Sequence, residues 1–187
     1  MEIPILSRLK NNKGYRNETI NKGTNCICYA GGTDVCIQDD HGGCPNVHLL
    51  GVFTVAFTVV YRKKALYPIY TYVLLNGIFC GFATWWLPYL YIWTVLWGVV
   101  MLIPNRIPRK IKPVIYIICC SLHGFLFGTL YAPAQAILYG MGFKATIAWI
   151  IAGLPWDAIH GVSNLVCGLL IMPIVKILTY LENRAAL

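Results

Sequence analysis

Apolar and polar positions divide this chain sharply. Residues 1 to 46 are polar and basic, rich in Asn, Gly and Cys, and show neither helical nor strand periodicity. Gly31-Gly32 and Gly42-Gly43 act as breakers, so this tail predicts little regular structure. From Val47 long apolar runs take over. Segment A, Val47 to Tyr61, is short against the roughly 20 residues of a bilayer-crossing helix. Segments B, Ala65 to Ala83, and C, Trp85 to Ile103, are long enough to cross. Segments D, Pro113 to Tyr139, and E, Ala145 to Leu181, are longer than one crossing. Pro133 predicts a kink or stop near Tyr131 in D, and Gly153-Leu-Pro155 predicts a break in E. The chain thus reads as a tail, 1–46, a helical bundle, 47–181, and a short C-terminal tail, 182–187.

Composition sharpens this into an all-α polytopic membrane protein with about five transmembrane helices. Charged residues are 12% of the chain and apolar residues 58%, against about 25% charged in soluble domains. Mean hydropathy is +0.62. The net charge of +8 is bunched rather than spread, at Arg62-Lys63-Lys64 and at Arg106, Arg109, Lys110 and Lys112 between the apolar runs. Such bunching points to cytoplasmic loops rather than to a nucleic-acid partner. With both loops cytoplasmic, B and D run outward and C and E run inward, which leaves Lys176 and Arg184 inside as well. Segment A then runs inward and puts the basic tail outside, against the same rule.

One cluster carries candidate chemistry. Asp157 is the only acid in any apolar run, with His160 three residues on and Asn164 four beyond that. On a helix the three share one face. An ionisable group at membrane depth is costly, and function is the default reading; the bland one is a polar knot tying helices together. The outward orientation sets Asn46 and His48, Trp85, Trp86, Tyr89 and Trp93, Gln135, and Trp149 and Trp156 in the same outer half, with Asn76 nearer mid-depth. Aromatic walls with a few polar groups are the anatomy of a small-ligand site. Each aromatic taken singly reads equally as packing or as an interfacial belt. Gly124, Gly128, Ala132 and Ala136 recur every four residues and predict close approach of another helix, within the bundle or on a partner. Cys26, Cys28, Cys36 and Cys44 are not at zinc-finger spacing, so no metal is assigned.

From Pro45 to about residue 181 the pattern resembles the substrate-binding S components of energy-coupling-factor (ECF) vitamin transporters. The pieces that carry it are Tyr61-Arg-Lys-Lys-Ala-Leu-Tyr-Pro-Ile-Tyr70, Trp85-Trp-Leu-Pro-Tyr-Leu-Tyr-Ile-Trp93, Gly153-Leu-Pro-Trp-Asp-Ala-Ile-His-Gly-Val-Ser-Asn164 and Met172-Pro173. The resemblance implies a six-helix fold in the bacterial plasma membrane, of which A to E supply helices two to six. It also implies a vitamin-like substrate, no cofactor, and a complex with a transmembrane coupling subunit and two ATPase subunits. Residues 1 to 44 depart from the family's apolar first helix, and the expectation is that a truncated or frame-shifted reading frame supplies this end. On this reading Asp157, His160, Asn164, Trp156, Trp86, Tyr89, Trp93, Asn76 and His48 contact substrate.

The chain has no P-loop, no H-E-x-x-H and no G-x-S-x-G. It is expected not to be an enzyme, and ATP hydrolysis would belong to partners. Two other classes stay open: a proton-coupled carrier that relays protons through Asp157 and His160, and an intramembrane enzyme using them as an acid/base pair.

Overall fold

The computed structural model describes residues 49–104 and 106–185, and every regular element among them is helical. Helix α1 spans Leu50–Tyr61, α2 Leu66–Cys80, α3 Tyr89–Leu102, α4 Lys112–Phe125, α5 Phe127–Tyr139, α6 Phe143–Cys167 and α7 Ile171–Ala185. Short 3-10 turns at Arg62–Ala65 and Gly168–Leu170 join α1 to α2 and α6 to α7.

Helix α1 is the centre of the bundle. Its sequence is apolar all round, and such a helix is stable only when enclosed. Nine of its 12 residues are buried, against α3, α4 and α7. Of its two buried threonines, Thr58 donates its Oγ1 hydrogen to the Thr54 carbonyl at 2.6 Å, while the Thr54 hydroxyl has no partner among the described residues. One apolar cluster joins Phe57 and Tyr61 to Ile69, Tyr72, Trp93 and Leu178. A second joins Val52 and Val55 to Leu96, Val100, Tyr116 and Ile171.

The remaining helices start and stop for local reasons. Pro68 sits in the first turn of α2, where a missing N–H costs nothing. Gly81, at φ 88°, ends α2, and Gly140, in the left-handed region at φ 61°, closes α5. Pro113 opens α4.

The closest helix pair is α4 with α6. Gly124 makes it possible: a Cβ there would lie 2.9 Å from the Gly161 backbone. The Gly124/Gly128 stripe is therefore used within the bundle, with α6 as the approaching helix. Helix α6 is built inside out. Its buried residues are Asp157, His160, Gly161 and Asn164, while Ile151, Leu154, Ile159, Val162, Leu165 and Val166 are exposed. Two nearly continuous helical stretches, Lys112–Tyr139 of 28 residues and Phe143–Arg184 of 42, are long and apolar enough to cross a membrane.

Several boundaries differ from the expectations. The last long run does not break at Gly153-Leu-Pro155: α6 passes through Pro155 unbroken. Pro155 is exposed, and its ring removes one backbone hydrogen bond without ending the helix. The run turns instead at Gly168–Leu170, where a Cβ on Gly168 would press on Ile117 of α4 at 3.0 Å. In the same way α5 continues through Pro133, and the interruption falls seven residues earlier, at Leu126. Trp85–Pro88 form a turn ahead of α3 rather than its first turn of helix. The tail and segment A before residue 49, with Asn46, His48 and the four tail cysteines, lie outside the described residues.

Candidate ligand-binding site

The interruption at Leu126 builds the site. In an uninterrupted helix the Gly128 N–H would point to the Gly124 carbonyl. Here it donates to the Asp157 carboxylate, 2.9 Å from Oδ1 and 3.0 Å from Oδ2. Gly128 lies in the first turn of α5, so the carboxylate occupies a half-helix N-terminus, where backbone dipoles favour a negative charge. Only glycine fits, because a Cβ at residue 128 would lie 2.6 Å from Oδ2.

Beside this contact a cavity of about 310 Å3 opens between α5 and α6. From α5 come Phe127, Gly128, Tyr131 and Gln135; from α6 come Trp149, Gly153, Trp156, Asp157 and His160. The spacing explains the grouping. Phe127, Tyr131 and Gln135 recur every four residues, and Trp149, Gly153, Trp156 and His160 recur every three or four, so each set lines one helical face. Tyr131 stacks on Trp149 at 5.9 Å and 24° between planes. Phe127 meets the His160 ring at 4.8 Å. Two hydroxyls anchor α5: Tyr131 donates to the Trp85 carbonyl at 3.1 Å, and Tyr91 of α3 donates to the Leu130 carbonyl at 2.7 Å. The cavity therefore offers aromatic faces for a flat ring and one buried carboxylate at its floor, with lone pairs left over from its single backbone donor.

The expected site residues separate in space. Asp157, His160 and Trp156 line this cavity, the first two buried and Trp156 57% exposed at its rim. Asn164 is fully buried two turns further along α6 and donates to the Cys120 carbonyl at 3.2 Å, which ties α6 to α4. Trp93 is buried behind the cavity, 5.9 Å from Phe127 and 5.5 Å from His123. Tyr89 adjoins Trp93 at 5.8 Å and Phe127 at 6.3 Å. Trp86 is turned to α2, where its Nε1 donates to the Val73 carbonyl at 2.7 Å. Asn76 donates to the Tyr72 hydroxyl at 3.0 Å within α2. His48 lies outside the described residues. Trp86 and Asn76 thus have packing partners away from the cavity, because the turn at 84–88 folds the tryptophan back on α2.

Sequence reasoning missed Phe127, Tyr131 and the backbone of Gly128. The four-residue repeat of Phe127, Tyr131 and Gln135 was the available signal. The N–H that holds Asp157 had none, since no Gly or Pro stands at Leu126 to announce the interruption. Among the described residues no three His, Cys, Asp or Glu side chains converge as a metal site would require. Compared with known families, curated proteins and solved structures, the chain matches none of them.

Proposed function

We propose that this chain is a membrane-embedded binding protein for a small, flat, vitamin-like molecule, serving as the substrate-capturing S component of an ECF-type uptake transporter. The observation that carries the binding reading is the cavity between α5 and α6, where stacked aromatics surround a buried carboxylate already set by Gly128. The membrane reading is supported by the inside-out distribution of side chains. Asp157, His160, Asn164, His123 and Ser121 are buried, while large apolar residues from every helix except α1 are exposed. Only 33% and 28% of the two long apolar windows are buried, unlike the core helix of a soluble protein. Arg62, Arg109 and Lys112 line one cavity at the start of α4, which brings the two basic loops to one end of the bundle, as the positive-inside rule asks of a cytoplasmic face. Counting α1 to α7 as five crossings requires α1, α2 and α3 to cross as short spans within the bundle.

In this role a ring stacks between Tyr131 and Phe127 on one side and the α6 aromatics on the other. Asp157 accepts a ligand N–H or pairs with a ligand cation through the lone pairs that Gly128 leaves free. Binding without chemistry suits the site, and the coupling subunit and paired ATPases would supply energy. Asp157 has a second duty in tethering α5 to α6, and both duties use the same carboxylate.

The deciding experiment is native mass spectrometry of the purified full chain, looking for co-purifying small molecules, followed by titration of the compound found. The expected result is one ring-bearing molecule held without turnover and lost in Asp157→Asn. Ligand-free protein that no ring-bearing vitamin or nucleobase stabilises would sink the binding reading. Consumption of a bound compound would favour the intramembrane enzyme instead. Co-purification with ATPase subunits tests the transporter assignment separately.

A further inference from the structure

A second cavity, about 430 Å3, opens at the opposite end of the α4–α5 stretch. Its walls are Val59, Arg62, Arg109, Lys112, Tyr116 and Met172. The three cations come from two separate loops, and Lys112 begins α4. None of the three forms an ion pair among the described residues. Only Asp157 and Glu182 are acidic there. Asp157 lies level with Gly128, sixteen residues and about 24 Å along the helix from Lys112, and already accepts a backbone N–H. Glu182 is ten residues, about 15 Å, beyond Met172 on α7.

Arg62 gives the second observation. It is the one non-glycine residue with positive φ among those described, at φ 54° and ψ −117°. A side chain pays for such a backbone only where its surroundings hold it. Here the Arg62 carbonyl accepts the Trp97 Nε1 hydrogen bond at 3.0 Å, and its guanidinium donates to the Met101 carbonyl at 3.3 Å. One guanidinium edge is thus fixed by the protein while the residue lines the cavity. The Tyr116 ring, 8% exposed, and the half-buried Val59 and Met172 form an apolar floor below the charges.

We infer that this cavity binds a phosphate-type oxyanion, with Arg62, Arg109 and Lys112 as its donors. Guanidinium and ammonium donors match phosphate oxygens in geometry and charge. The chemistry has two sources, the headgroup of an anionic phospholipid or a soluble phosphate compound. The apolar floor gives the lipid a place for the start of its acyl chains. The inference is independent of the ligand assigned to the Asp157 cavity.

The test uses the full chain in mixed micelles of phosphatidylglycerol and phosphatidylcholine, with bound lipid read by native mass spectrometry. Wild-type protein retains phosphatidylglycerol selectively, and Arg109→Gln combined with Lys112→Gln weakens that retention roughly tenfold or more. Arg109→Lys with Lys112→Arg keeps it. The neighbouring pair Lys63→Gln and Lys64→Gln, exposed and outside the cavity, changes it little. Thermal unfolding of each variant checks that the bundle is intact. Inorganic phosphate at millimolar concentration that stabilises wild type, but not the double Gln variant, and displaces the lipid identifies the soluble source. Equal lipid retention by wild type and the Arg109/Lys112 variant, with no phosphate effect, overturns the site. So does an equal loss in the Lys63/Lys64 variant, which would reduce the effect to diffuse surface charge.

Discussion

Asp157 and the trio Arg62, Arg109 and Lys112 handle charge in opposite ways. Asp157 is 6% exposed, and both its oxygens meet one backbone N–H at the start of α5. Its charge is answered from within the protein. The three cations share a cavity with no carboxylate in reach among the described residues, where Arg62 makes a side-chain hydrogen bond to the bundle. Their charge is not answered by a carboxylate among the described residues. A buried charge must be matched internally or the fold fails, whereas a charge at the rim keeps water as a fallback. The inner site is therefore sensitive to small changes in backbone packing, and the outer one to charge and salt.

The largest expected effect breaks the inner site from behind. Gly124→Leu forces a side chain against the Gly161 backbone, 2.9 Å from where a Cβ would sit. Neither partner can move without parting α4 from α6, so a loss of about 3 kcal/mol or more is expected in unfolding measurements in detergent. A melting point within a degree of wild type would show that the two helices are not this close.

Asp157→Leu comes next. It strands the Gly128 N–H in an apolar setting, at a cost of about 1–3 kcal/mol. Asp157→Asn sharpens the comparison, because an amide oxygen still accepts that N–H. Stability is expected within about 1 kcal/mol of wild type, while affinity for the co-purifying ligand falls by ten- to a hundredfold through loss of a charged partner. Should Asn bind as tightly as Asp, the carboxylate serves only to tether α5.

Smaller effects map the walls. Trp149→Ala removes the ring stacked on Tyr131 and is expected to weaken ligand binding by about 1 kcal/mol, with calorimetric titration as the check. Trp156→Ala, at the exposed rim, should change stability by less than about 0.5 kcal/mol. A large loss of stability there would mean that the rim is covered in the folded protein.

Much of the helical organisation was legible in the chain. The apolar runs that predicted segments B, C, D and E appear as α2, α3, α4 with α5, and α6 with α7, because burying or exposing whole apolar runs demands internally bonded backbone. The stripe of small residues announced a close helix contact, and Gly124 and Gly128 supply it. Asp157, His160 and Asn164 do share the buried face of α6. The breaks were misplaced for one reason. Pro133 and Pro155 look like stops in one dimension, but both lie inside helices that run on past them, since a proline removes one backbone hydrogen bond and the rest of the ladder can carry the helix on.

The sequence alone determined which segments are helical, which face of α6 is polar and where positive charge gathers, since each follows from local composition and the 3.6-residue period. Tertiary structure decided the rest. Leu126 carries no breaker, yet the helix opens there because Asp157, 29 positions away, takes the Gly128 N–H. Trp86 and Asn76 share the aromatic and polar character of the cavity residues, yet a turn folds Trp86 onto α2 and Asn76 bonds to Tyr72 within α2. Arg62 and Lys112 are 50 positions apart and meet only when α1 and α4 pack side by side. Which groups end up as partners depends on long-range contacts between helices, and residue spacing carries no record of them.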